Sequence, residues 1–212
     1  MLIAVLLSST ACTSLGGQAA PEHSSGHESG REASGSFWDG IDPAPESTVT
    51  PPPDAAEGVA VPEGYEVAVV ARRDDPTAST LVEATRAWAE AHGATATVRE
   101  VTDENEIERA LLDETTAADV VVGVGPGVVD VFSLLTAQML DRQFLMLGAQ
   151  LAEPTKNVTA VVWPGASFRG TGISETDSDT GSGTTTERAE SGVATGIAAI
   201  LAGRTGIVLQ LG

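Results

Sequence analysis

A doubly wound α/β fold, one parallel sheet with helices on both faces, is predicted by three features of the chain from Tyr65 onward. Short apolar runs recur there: YEVAVVA (65–71), ATATVRE (94–100), DVVVGV (119–124), QFLMLG (143–148), NVTAVVW (157–163) and TGIVLQL (205–211). Most are near-continuous in Val, Ile or Leu, which suits strands buried on both faces of a parallel sheet. Between them lie segments of helical period, each about long enough for a right-handed crossover. Counting the runs in sequence, the simplest topology is strand order 2-1-3-4-5. Its switch point lies between the first and third runs. A ligand crevice is therefore expected at their carboxyl ends, where the loops from Arg72 to Ala78 and from Gly123 to Gly127 meet.

The elements follow in order. The first run comes after Pro62-Glu63-Gly64 and ends at Ala71, and in the polar loop RRDDPTAST (72–80) either Asp75 or Thr77 can cap the next helix. Leu81, Ala84, Trp88 and Ala91 fall at helical spacing, with Gly93 placed to end that helix. Asp103 stands three before Glu106 in a capping-box pattern, and Ile107, Ala110 and Leu111 give the second helix its buried stripe. Pro126 opens a third helix whose apolar face is Val128, Phe132, Leu135 and Met139. The fifth run begins after the turn EPTKN (153–157). Residues 164–186 are rich in Gly, Ser and Thr and read as a long flexible loop. The last helix, ERAESGVATGIAAILAG (187–203), ends at Gly203 and leads into the final run.

The chain divides into three parts on composition. Residues 2–7 are apolar and are followed by Ser8, Ser9, Thr10, Ala11 and Cys12, the single cysteine. This order resembles a bacterial lipoprotein signal, so residues 1–12 are expected to be a signal peptide with Cys12 lipidated. A chance Cys in a frayed terminus is the alternative. Residues 13–61 are dominated by Ser, Gly, Pro and acidic residues and read as a disordered tether. Residues 62–212 are left for one α/β lobe. With one cysteine no internal disulfide forms. Net charge is −19, and the longest basic cluster is Arg72-Arg73, which disfavours nucleic acid as a partner.

Candidate ligand-binding residues cluster at the expected crevice. Arg72, Arg73, Asp74 and Asp75 offer donors and acceptors for a polyhydroxylated or zwitterionic solute, the alternative being a solvated turn with a cap. Gly123, Gly125 and Gly127 open a helix after a strand, where backbone N–H groups can hold a polar ligand. A tight turn that merely needs glycine is equally open. Val128 breaks the dinucleotide fingerprint. Trp163 and Arg169, beside Phe168, flank the long loop and can stack on a planar ligand, although Trp163 can also plug the sheet. His23 and His27 lie in the tether with no helix to align them, so no metal site is expected. No cofactor is expected either. Without a Ser-His-Asp order, GxSxG or Walker loop, the chain does not read as an enzyme.

From Asp119 to Gly212, the Gly123 to Gly127 turn, Phe144 to Leu147, Asn157-Val158, Gly192 to Leu201 and Thr205 to Leu209 succeed one another in an order that resembles the basic membrane protein (BMP, PnrA-like) family of ABC-transporter substrate-binding lipoproteins. The resemblance implies one lobe of a type I periplasmic-binding fold, lipid-anchored outside the cell membrane and capturing nucleosides or related small solutes for an ABC permease. The loop RRDDPTAST carries no Phe onto which the family's nucleoside-stacking residue transfers. The chain is expected to hold the N-terminal lobe alone, which either dimerises to rebuild a cleft or serves as an accessory subunit. The competing expectation is a non-transport envelope lipoprotein that uses the lobe as a scaffold or sensor for another envelope protein. A third is an enzyme that uses the Gly123 to Gly127 turn for a phosphorylated substrate.

Overall fold

The computed structural model describes residues 36–114, 117–152, 154–168 and 183–212. Strands β1 (Thr48–Val49), β2 (Glu66–Arg72), β3 (Thr95–Val101), β4 (Val120–Val124) and β5 (Phe144–Leu147) belong to one sheet, with β7 (Val158–Val162) and β9 (Val208–Gln210). The order is β1-β9-β7-β5-β4-β2-β3, and every neighbouring pair is parallel. The expected 2-1-3-4-5 arrangement is contained within it, extended by the sixth run and then by β1. Two short strands, β6 (Ala149–Gln150) and β8 (Ser167–Phe168), pair separately.

The valine runs explain why the sheet lies at the centre. In β2, Val67, Val69 and Ala71 enter one apolar layer while Ala68 and Val70 enter the other. In β4, Val120, Val122 and Val124 face the first layer and Val121 the second. Alternate residues on a strand point to opposite faces, so a two-sided core needs apolar residues at consecutive positions. Helices α1 (Ala78–His92) and α4 (Thr186–Leu201) cover the first face; α2 (Glu104–Glu114) and α3 (Val129–Leu135) cover the second. Gly93 ends α1 with φ of 67°, its N–H donating to Ala89 O and Glu90 O. At α2, Asp103 Oδ1 accepts the Glu106 N–H (2.9 Å) while Glu106 Oε2 accepts the Thr102 N–H (2.8 Å). Gly196 lets α4 close on the sheet, since a Cβ there would lie 2.6 Å from Leu145 Cδ1.

Two expectations are corrected. Residues 36–61, expected to belong to the disordered tether, form part of the fold. Trp38 is fully buried, its carbonyl accepts the Arg204 Nε–H at 3.0 Å, and β1 adds a parallel edge beyond β9. A low average content of apolar residues concealed a few that are well placed: Phe37, Ile41, Val49, Ala55, Val59 and Val61 all pack on the layer of α1 and α4. The loop expected over 164–186 is likewise not uniform. Its start forms β8, and α4 begins at Thr186 with the Thr185 side chain accepting the Arg188 N–H. Cys12, His23, His27 and Arg169 lie outside the described residues.

Candidate functional site

Strands β2 and β4 are neighbours and send their following helices to opposite faces, so the switch point falls where the sequence places it. The loops leaving the two strands do meet. Asp75 joins them: Oδ1 accepts the Thr77 N–H (2.9 Å) and the Thr77 hydroxyl (2.7 Å), and Oδ2 accepts the Gly127 N–H (3.2 Å). Asp75 is 9% exposed. Its carboxylate thus occupies the glycine turn that an anionic ligand would otherwise use.

The glycines serve this closure. Gly125 has φ of 73°, and a Cβ there would sit 2.2 Å from Asp75 Oδ2. A Cβ on Gly127 would lie 2.9 Å from Arg72 Cδ, so the Arg72 stem lies across the turn. Gly123 stands within β4, with Met146 Sδ and the Phe132 ring 2.6 and 2.7 Å from where its Cβ would be. All three are packing and turn glycines in this arrangement.

The open space lies to the other side of β2. A groove of about 580 Å³ runs between the start of α1 and the end of β3, lined by Arg72, Arg73, Asp75, Glu83, Arg86 and Glu100 above a floor of Ala71, Ala78 and Val82. Arg72 donates through Nε and Nη2 to both oxygens of Asp74, at 2.7 and 2.6 Å. This bond is the main reason the Asp74 carboxyl is held below the usual carboxylate range. Arg73 pairs with Glu100 at 3.4 Å.

The structure therefore brings Arg72, Arg73 and Asp75 to one rim, with Asp74 bound to the first of them. It separates them from Trp163, which is 2% exposed and packs beside the spaces at Gly148 and Gly192, plugging the core. Sequence reasoning missed Ser79, Glu83 and Arg86. They stand at helical spacing on the polar side of α1, a stripe that looks the same whether it faces open solvent or the wall of a groove. Glu100 was hidden by its place at the end of a strand. Among the described residues no group of His, Cys, Asp and Glu could hold a metal ion, and no helix is long and apolar enough to cross a membrane.

No protein-family model matches the chain, and no curated protein does. Among solved structures it is similar to an ABC transporter system solute-binding protein from Aeropyrum pernix K1, at 16% identity and TM-score 0.42 over 48% of this chain and 29% of that one. It is also similar to a solute-binding protein of an ABC transporter system from Conexibacter woesei DSM 14684, at 21% identity and TM-score 0.40 over 47% of this chain and 35% of that one. The chain thus matches about a third of the length of either protein. A fragment from Peptoclostridium difficile 630, provisionally assigned as a lipoprotein, is similar at 12% identity and TM-score 0.47, over 65% of this chain and 98% of that one. At these values the likenesses carry neither ligand nor partner to this chain.

Proposed function

We propose that this chain is the solute-contacting lobe of an extracytoplasmic binding lipoprotein, anchored through Cys12 and related to the BMP substrate-binding proteins of ABC transporters. The observation that carries the reading is the groove at the carboxyl end of β2. Its volume of about 580 Å³ falls in the range of small-molecule sites. An apolar floor of Ala71, Ala78 and Val82 under guanidinium and carboxylate groups suits a solute with one flat face and a polar edge, such as a nucleoside. Arg73 and Arg86 would donate to its hydroxyl or carbonyl oxygens, and Glu83 would accept. A permease would then receive the solute from the lobe.

The role is binding and not catalysis. Asp75, the most buried carboxylate of the rim, is taken up by three donors of the chain itself and is not poised as a base. The same occupancy disfavours an enzyme that cradles phosphate on the glycine turn.

A panel of nucleosides, sugars and amino acids screened by thermal shift against the full chain tests this reading. A nucleoside or related polar solute is expected to raise Tm, and Arg73→Ala together with Arg86→Ala is expected to abolish the rise. No shift with any solute, or a shift that survives both substitutions, refutes it.

A further inference from the structure

We propose that the polar edge of the solute is zwitterionic: the groove beside β2 reads an ammonium and a carboxylate carried on one carbon, as in an α-amino acid with an apolar side chain. This rests on the solute-binding reading and narrows it. The starting point is which charged groups of the groove the chain itself already uses. Arg72 gives Nε and Nη2 to the two oxygens of Asp74, and Asp75 takes its donors from Thr77 and Gly127. On the α1 wall, Glu83 and Arg86 are exposed, and neither side chain makes a hydrogen bond or ion pair among the described residues. One anion and one cation are thus left open on that wall. They stand three positions apart on one helix, which puts their Cβ atoms about 5–6 Å from each other on the same face.

The opposite wall repeats the arrangement. Arg73 and Glu100 pair at 3.4 Å, with side chains 63% and 60% exposed. An ion pair in that much water is held weakly and exchanges partners readily. A zwitterion between the walls would meet both signs on each side. Its carboxylate would lie against Arg86 and Arg73, and its ammonium against Glu83 and Glu100. The floor of Ala71, Ala78 and Val82 would take its apolar side chain.

The same balance says what is turned away. Two guanidiniums and two carboxylates leave this open lining without net charge. A solute of a single sign is attracted by one pair and repelled by the other, so part of the attraction is lost. An uncharged solute can hydrogen-bond to the same groups, but it covers Glu83 and Arg86 without supplying an opposite charge to either.

Equilibrium dialysis of labelled phenylalanine against the full chain tests this, with hydrocinnamate, phenethylamine and adenosine as competitors. Phenylalanine is expected to bind, and the three competitors to be at least about tenfold weaker. Glu83→Gln is expected to weaken phenylalanine by about tenfold without weakening hydrocinnamate, which has no ammonium. Arg86→Gln is expected to do the same to phenylalanine without weakening phenethylamine, which has no carboxylate. Both positions are exposed on α1, so an unchanged Tm is expected, and a purely structural role would not shift the preference between analogues. Should either variant not fold, the ranking of the four solutes on the parent decides the matter. Equal binding of phenylalanine and either one-charge analogue, or a preference that both variants retain, overturns the proposal. Adenosine binding as tightly as phenylalanine overturns it and leaves the solute reading standing, whereas a chain that binds none of the four overturns this proposal and counts against that reading as well.

Discussion

Replacing Asp75 with Ala breaks the link between the β2 and β4 loops, and the cost can be worked from the contacts. Three donors converge on the carboxylate: the Thr77 N–H at 2.9 Å, the Thr77 hydroxyl at 2.7 Å and the Gly127 N–H at 3.2 Å. Hydrogen bonds to a charged group contribute roughly 1.5–3 kcal/mol each, less for the long one, and they are not additive. Truncation also strands two backbone donors at a site that is 9% exposed. A loss of about 3 kcal/mol is expected. Asp75→Asn keeps an acceptor and loses the charge, and is expected to cost about 1 kcal/mol. Thr77→Val removes one donor at about 1 kcal/mol, but in the Asp75→Ala background it should cost almost nothing, because its partner is gone. Urea unfolding followed by tryptophan fluorescence reads all four proteins, since Trp38, Trp88 and Trp163 are buried. The clamp is refuted if Asp75→Ala stays within about 0.5 kcal/mol of the parent, or if it adds fully to Thr77→Val.

Two further outcomes follow from packing. Burial, with Asp119 nearby, pushes the Tyr65 phenol up to about 12. The folded state then holds a proton that the unfolded state releases near pH 10, so stability is intact below about pH 10 and falls as pH rises toward 12, by about 2 kcal/mol in all. Tyr65 is the only tyrosine, so tyrosinate absorbance titrates it alone, and a midpoint near 10 in the folded protein would contradict its burial. Trp38→Ala empties a fully buried site beneath the N-terminal segment and is expected to cost about 3 kcal/mol. An unchanged Tm would return residues 36–61 to the status of a tether.

The sheet was legible in advance because its signal is local. A strand buried on both faces must be apolar at consecutive positions, and the valines of 67–70 and 120–124 declare that without reference to anything distant. Crossover handedness and length then leave few strand orders, and the expected one is present. The helix ends were readable for the same reason: Gly93 and the Asp103–Glu106 pair act within one turn of themselves.

The site was legible in place but not in form. Sequence brought the Arg72 and Gly123 loops to one end of the sheet. It did not show that Asp75 reaches 52 positions along the chain to fill the glycine turn, so that the open groove falls on the β3 side. Nor did it show that Trp163 turns inward, or that Trp38 docks against the distant Arg204. Periodicity reports which face of an element is buried, whereas a polar or aromatic side chain in a loop is used according to whichever partner the topology delivers. Those partners are far apart in sequence, and only the packed sheet and its helices bring them within bonding distance.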